Sequence, residues 1–333
     1  MNPVSPRNLG SLDALRGVAI LLVLASHFYP GGFPYLEAMR LPCAICGVIL
    51  FFFLSGFLMD RNLAVDFRIF PYVVRRSFRI LPLYWLSLIF VFLIGTNWTA
   101  GDFLSNATFT TPITGSERML GVYWTLYIEV LFYVFIPFLS RLGEPAIRSA
   151  PYAAILIFGF VWLMRGSINA ALFYLLFCFA GMQFGSWYRG QLSTTALSIS
   201  MITVAVSSSV FPIVSVYLGL APLACALAMA FALKLEWRFK PLEFLGHVSY
   251  SLYLLHAIIG YPIVAWCLLA GASPWLAASA GVAASFAASV VTFHLVERPA
   301  IKLGKFIIAQ YRSILPAAFK NDGPTSKVLP GQA

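Results

Sequence analysis

Charge is scarce in this chain. Only 10% of its 333 residues are Asp, Glu, Lys or Arg, whereas a soluble globular domain carries about 25%. Hydrophobic residues make up 60% of the chain, and the mean hydropathy is +0.86. Because so few charges cannot cover a surface that faces water, the composition excludes a soluble enzyme, a coiled coil and a disordered protein. It indicates an integral membrane protein.

Cysteine and acidic residues are scarce as well. The five cysteines are odd in number, which argues against a disulfide framework. Cys43 and Cys46 form a C-x-x-C motif without a second pair of ligands, so we expect no metal or redox site there. The 12 acidic residues are outnumbered by 22 Lys and Arg, which gives a formal charge of +10. In a membrane protein such an excess first reports topology, and we expect no nucleic-acid partner.

Long apolar runs recur along the whole chain. At about 20 residues per crossing, the length leaves room for roughly ten helices. The sequence therefore predicts an all-α, polytopic transmembrane bundle of about ten spans. The runs lie at about 14–30, 41–59, 80–95, 121–139, 151–164, 170–187, 195–211, 213–235, 244–269 and 275–296.

Basic residues are distributed unevenly between the loops. If the amino terminus is cytoplasmic, eighteen of the 22 Lys and Arg fall on that side of the membrane. This follows the positive-inside rule and requires an even number of spans, so we expect both termini in the cytoplasm. We expect one transmembrane domain over 1–305 and a cytoplasmic tail over 306–333, partly disordered from Asn321 onward. The first run is interpreted as a retained helix because Asp13 and Arg16 precede its apolar core.

The first helix carries three ionisable groups, Asp13, Arg16 and His27. Arg16 and His27 are eleven positions apart, which is three helical turns, so both lie on one face about 16 Å apart along the axis. Ionisable groups inside a membrane are costly and often functional. In the alternative interpretation, Arg16 extends to the inner interface with Asp13 at i−3, and His27 is a hydrogen-bonded polar residue near the outer boundary.

A cluster of arginines lies in the predicted inner loop, immediately before the third run. Arg76 and Arg79 share a helix face at i,i+3, and Arg75 and Arg79 pair at i,i+4. Guanidinium groups bind phosphate oxygens in a bidentate manner, so the cluster suits a nucleotide-containing ligand or lipid headgroups. An anchor on anionic lipid is the simpler interpretation.

Two further runs carry buried polar candidates. Glu129 lies near the middle of the fourth run with Tyr133 at i+4, and a carboxylate at that depth needs a proton, a cation or a wet cavity. Arg16 and His27 are its expected partners. In the ninth run, Ser249, Tyr253 and His256 form one polar stripe. Ser55 and Gly56 are interpreted as small packing residues, and structural roles remain open for the whole group.

Six sequence blocks together resemble the acyltransferase-3 family of polytopic membrane acyltransferases. The blocks run from residue 12 to 300 in family order and read LDALRGVAILLVLASH, FFFLSGFLM, RRSFRILPLYW, VYWTLYIEVLFYVFIP, GHVSYSLYLLH and VERPA. The resemblance implies that the family's helix-one Arg and His fall on Arg16 and His27, its paired loop arginines on Arg76 and Arg79, and its acidic position on Glu129.

The resemblance implies an enzyme of polysaccharide modification in a bacterial inner membrane. An O-acyltransferase would move an acyl group, by default acetyl, from cytoplasmic acyl-CoA to a hydroxyl of an exported glycan, with no metal. Arg76, Arg79 and Arg75 would hold the donor's phosphates. His27 would be the general base or the acyl carrier, and Glu129 would orient or balance His27 or Arg16.

Several assignments are left open at this stage. Asp13, Ser249, Tyr253 and His256 are further polar candidates, of which Ser249 or Tyr253 could stabilise an oxyanion. A second class of function is a transporter or flippase for an envelope precursor, with Arg16, His27 and Glu129 on a proton or anion path. The absence of detectable internal repeats counts against that class. A scaffold subunit would tolerate substitution at all of these positions.

Overall fold

The computed structural model describes residues 6–32, 34–65, 67–95, 97–166, 169–210 and 216–314. Within these ranges the regular structure is entirely helical, so the predicted all-α class is confirmed. The helices are α1 (Pro6–His27), α2 (Pro34–Val65), α3 (Ile69–Ile94), α4 (Ala100–Ala107), α5 (Thr111–Thr114), α6 (Tyr123–Leu142), α7 (Glu144–Arg165), α8 (Tyr174–Tyr188), α9 (Thr194–Val210), α10 (Val216–Lys234), α11 (Lys240–Leu255), α12 (Tyr261–Leu269), α13 (Pro274–Thr292) and α14 (Arg298–Ile314).

Eight helical segments of the described chain are long and apolar enough to cross a membrane, judged by length and composition. They are supplied by α1 to α3, α6 to α8, the continuous α11–α12 pair and the continuous α13–α14 pair. Two shorter apolar helices, Thr194–Ser209 and Gly219–Lys234, lie where the sequence predicts the seventh and eighth spans. The chain is a multi-pass membrane protein, and the count of ten spans stays a prediction.

Close helix contacts at glycines hold the centre of the bundle together. α1 packs along α11 and α2, and α2 packs along α8. A Cβ atom on Gly246 would overlap the main chain of Asp13, and one on Gly56 would overlap the carbonyl of Cys178. Without a hydrophobic force between helices in lipid, such close approach is what lets backbones associate. The prediction that Gly56 is a packing residue is therefore confirmed.

An ionic cluster joins α2, α7 and α8 at one end of the bundle. The Asp60 side chain is 1% exposed and accepts hydrogen bonds from Ser186 Oγ at 3.0 Å and Arg189 Nη2 at 2.9 Å. Arg189 also donates to the Asp60 carbonyl at 3.0 Å and to Glu144 at 3.1 Å. The sequence showed no sign of this cluster, since Arg189 only counted toward topology.

Two helices extend beyond the apolar runs predicted from the sequence, α3 at its start and the last membrane helix at its end. α3 begins at Ile69, so Arg75, Arg76 and Arg79 lie within the helix rather than in a preceding loop. The last run continues from α13 through a π-helical turn, Phe293–Glu297, into α14. A Cβ atom on Gly304 of α14 would touch Phe78 of α3, so α14 packs closely on α3. The predicted boundary at 305/306 therefore falls inside a helix, and Asn321 lies outside the described residues.

Candidate active site

A cavity of about 100 Å³ lies between α1, α2, α3, α6 and α11. Six of the ten candidate residues predicted from the sequence meet here, because each helix contributes one face to the same space. Its apolar wall includes Val48, Phe51 and Phe52. Its polar wall is built by Arg16, Ser55, Arg76, Arg79, Thr125, Glu129, Tyr133, Ser249, Tyr250 and Tyr253.

Glu129 is held by hydroxyl groups. Tyr133, one turn further along α6, donates a hydrogen bond to Glu129 Oε1 at 2.5 Å. Ser55 of α2 donates to the same oxygen at 3.5 Å and lies 3.2 Å from the Tyr133 hydroxyl. Ser55 therefore has a polar contact at the cavity wall besides the packing role predicted for it. Sequence reasoning missed this contact because Ser55 and Glu129 lie on different helices.

The expected ion pair of Glu129 with the first helix is absent from the described contacts. Arg16 Nη1 instead donates to Asp13 Oδ1 at 3.0 Å, as the i−3 spacing predicts. Both Arg16 and Glu129 nevertheless line the cavity. The physical reason is local, because each group finds a partner within one turn of its own helix.

Two of the three candidate arginines face the cavity. Arg76 and Arg79 both line it, and the Arg76 guanidinium carbon lies 4.9 Å from the centre of the Tyr133 ring. Such a cation–π contact fixes the position of the cation without neutralising it. The buried Nε of Arg76 has no hydrogen-bond partner among the described residues. Arg75 is exposed and lies outside the described cavity wall.

A second buried carboxyl group, that of Glu297, belongs to the π-helical turn Phe293–Glu297. It is 4% exposed, accepts a hydrogen bond from Ser251 at 2.7 Å, and interacts electrostatically with Arg79 and Arg16. The sequence placed this residue only near the inner end of the last run. The Glu-Arg-Pro block was the one signal that could have pointed to it.

His27 lies at the end of α1 and is half-buried. Its Nδ1 lies 2.8 Å from the carbonyl oxygen of Val23 and 3.1 Å from Ser26 Oγ. Because a carbonyl oxygen can only accept, Nδ1 carries the proton in neutral His27, and Nε2 presents a lone pair. This is the tautomer that a general base needs.

His256 lies against His27. Their ring centroids are 4.9 Å apart in an edge-on arrangement. His256 is 0% exposed, and its Nδ1 lies 2.7 Å from the Tyr253 carbonyl oxygen, so this ring has the same neutral tautomer. The two histidines come from distant parts of the sequence, and no spacing rule could have paired them.

Tyr253 separates the cavity from the two histidines. It lines the cavity, and its ring centroid lies 5.8 Å from that of His256. Its hydroxyl accepts from Thr125 at 2.8 Å and donates to the Val122 carbonyl at 3.3 Å. His27 itself is outside the described cavity wall. Arginines thus lie at one part of the cavity, and the imidazoles lie just behind its Tyr253 wall.

The oxyanion role expected for Tyr253 or Ser249 finds no free donor in this arrangement. Ser249 Oγ donates to the Gly246 carbonyl at 2.8 Å, and the Tyr253 hydroxyl proton is directed to Val122. Both hydroxyl protons are therefore engaged by the main chain. Either group would have to rotate before it could stabilise an anion, and the role stays a prediction.

Comparison with known proteins places this arrangement in a family. A family model described as an acyltransferase domain matches residues 9–294. A protein of Acidianus two-tailed virus named "Putative acetyltransferase ORF330" is 32% identical over 140 residues, which cover 39% of this chain and 40% of the viral protein. No solved structure matches the chain. The family match covers most of the sequence and all of the cavity wall, and the chain belongs to this family of acyltransferases.

Proposed function

We propose that the protein transfers an acyl group, by default acetyl, from cytoplasmic acyl-CoA to a hydroxyl of an exported glycan. One observation carries the proposal. A cavity lined by three guanidinium groups is bordered by Tyr253, and behind Tyr253 lie the two imidazoles of His256 and His27, which contact each other. Phosphate-binding cations and a base within one bundle are the two parts that a CoA-dependent transfer needs. Membership of the acyltransferase family supports the same reaction class.

Donor binding uses the arginine side of the cavity. The phosphates of CoA approach from the cytoplasm, where the positive-inside rule places the start of α3. Arg76 and Arg79 would bind them, since Arg76 has a buried Nε without a partner and a position fixed by the Tyr133 ring. The uncharged pantetheine arm would follow the Phe51 and Phe52 wall toward Tyr253.

Transfer takes place at His27. The acceptor oxygen attacks the thioester carbonyl carbon while His27 Nε2 takes the hydroxyl proton. The carbon–sulfur bond then breaks, and the CoA thiolate leaves with that proton, so the imidazole returns to its neutral form. Imidazole suits both steps because its ordinary pKa is close to working pH. Tyr253 stands between the cavity and the histidines, so its side chain would turn aside to admit the thioester.

The test uses purified protein in proteoliposomes with radiolabelled acetyl-CoA and a glycan extract. We expect wild type to transfer label to glycan, and His27→Ala to lose transfer at least 100-fold while keeping its folding and insertion. His294→Ala is the matched control, since His294 is exposed and lies outside the described cavity wall. Full transfer by His27→Ala would contradict the assignment of the base. Glycan movement with the thioester intact would indicate a carrier instead.

A further inference from the structure

A buried nitrogen in the centre of the bundle lacks a partner. His256 is 0% exposed, and its Nε2 has no hydrogen-bond partner in the described part of the protein. Nδ1 holds the proton against the Tyr253 carbonyl, so Nε2 presents only a lone pair. Leaving a buried acceptor unsatisfied costs about 1–3 kcal/mol, and an atom of this kind therefore needs an explanation.

The helix around this nitrogen is irregular. His256 begins a π-helical segment, His256–Gly260, that interrupts the otherwise regular helix formed by α11 and α12. Such segments are rare and occur frequently at functional sites, because the extra residue per turn redirects side chains. Here the segment places His256 edge-on against His27, with the ring centroids 4.9 Å apart.

Two charged groups of the cavity wall, Glu129 and Arg16, already have other hydrogen-bond partners. Glu129 is occupied by Tyr133 and Ser55, and Arg16 is occupied by Asp13. The rings around His256 are those of His27, Phe28, Tyr253 and Tyr261. The Tyr253 hydroxyl donates to the Val122 carbonyl and accepts from Thr125. A donor for His256 Nε2 is therefore more readily supplied by a ligand than by these neighbours.

We propose that His256 is an acceptor-binding residue and that the two imidazoles together recognise a vicinal diol. His27 Nε2 takes the proton of the hydroxyl that is acylated, and His256 Nε2 accepts a hydrogen bond from the neighbouring hydroxyl. This inference rests on the proposed acyl transfer and adds which part of the polyol acceptor is recognised, namely two vicinal hydroxyl groups. His256 forms no covalent bond and keeps its own protonation state throughout.

Two neutral imidazoles suit a diol better than a single alcohol. One alcohol hydroxyl has one proton, so it can donate to one of the two nitrogens and leaves the other unsatisfied. A diol can donate to both. A site built to hydrogen-bond a hydroxyl discriminates strongly against analogues that lack it, because its buried polar group is then left unpaired.

The experiment compares two small acceptors in the reconstituted protein, trans-1,2-cyclohexanediol and cyclohexanol, with acetyl-CoA as donor. We expect wild type to show a KM for the diol about fivefold lower, which corresponds to about 1 kcal/mol. His256→Leu should abolish this preference, so that the KM values for the two acceptors become equal. His256→Gln, which places an amide oxygen near the former Nε2, should restore part of it. His294→Leu is the matched control and should behave as wild type.

The outcomes separate the two proposals. If wild type does not consume acetyl-CoA, the proposed function fails. If wild type consumes acetyl-CoA but shows no preference for the diol, or if His256→Leu keeps the preference, only the diol inference is overturned, and water occupies His256 Nε2. If His256→Leu and His256→Gln both lose transfer and acceptor-free hydrolysis equally, His256 acts in folding or donor chemistry, which also overturns it.

Discussion

The Asp60–Arg189 pair should be essential to the stability of the bundle because it is the buried part of the cluster that joins α2, α7 and α8. The perturbation is Asp60→Leu, which removes a carboxylate that is 1% exposed and leaves the guanidinium, whose side chain is 20% exposed, with fewer partners. Ser186 Oγ, 3.0 Å from the carboxylate, loses its acceptor as well.

The size of the effect follows from these contacts. Removing one partner of a buried ion pair costs about 3–5 kcal/mol. Glu144 still accepts from Arg189 at 3.1 Å and Gln191 accepts at 2.6 Å, so part of the charge stays compensated. We therefore expect a loss near the lower end, about 3 kcal/mol. The double variant Asp60→Leu/Arg189→Met removes both charges. Its loss of unfolding free energy should be smaller, by about 1–3 kcal/mol, than the sum of the losses in the two single variants.

The assay is equilibrium unfolding in mixed micelles, followed by the fluorescence of the eight tryptophans. Arg165→Met is the control, because Arg165 is exposed at the end of α7, and its free energy of unfolding should change by no more than about 0.5 kcal/mol. If the effects of the two single variants add within about 0.5 kcal/mol, Asp60 and Arg189 do not stabilise each other, and the pair is not what holds the cluster together.

Two other predictions concern helix contacts and pH. Gly246→Ala should lower expression and thermal stability because its Cβ would overlap the Asp13 main chain, whereas Gly121→Ala, with open space around it, should match wild type in the same thermal-shift assay. Hydrogen bonds from Thr99 lower the pKa of Asp102 below its ordinary value of 3.8. Asp102 therefore stabilises α4 above that value, and the stabilisation is lost as the pH falls through the lowered pKa. Hydrogen exchange of α4 amides should show this loss, and a pH-independent exchange difference between wild type and Asp102→Asn would contradict it.

Much of the fold follows from patterns that act within one helix. Apolar runs predict the membrane helices because the bilayer demands about 20 apolar residues per crossing. The Asp13–Arg16 bond and the Glu129–Tyr133 bond both follow from helical spacing, and both are present. The resemblance of six blocks to one family predicted the membership that the family match now shows.

Contacts between distant helices were beyond prediction from one sequence. The edge-on contact of His27 with His256 depends on how α1 packs along α11, which glycines such as Gly246 determine through backbone overlap rather than through a spacing rule. Asp60 had no signal, because a single acidic residue near the end of an apolar run looks like an interfacial residue. The extension of α3 to Ile69 was missed for a related reason. Arginines inside a helix lower its hydropathy, although a polar cavity accommodates them.

In the proposed reaction an acyl group passes from a donor on the arginine side of the bundle to an acceptor on the histidine side. The direct measurement uses proteoliposomes of known protein orientation, with radiolabelled acetyl-CoA on one side and trans-1,2-cyclohexanediol polymer conjugates, which cannot cross the membrane, on the other. We expect acetylated conjugate only when acetyl-CoA faces the end of α3 that the positive-inside rule places in the cytoplasm, and we expect free CoA to be released on that same side. Product formed when donor and acceptor share the opposite side, or conjugate left unmodified while acetyl-CoA is consumed in the expected orientation, would contradict the proposed reaction.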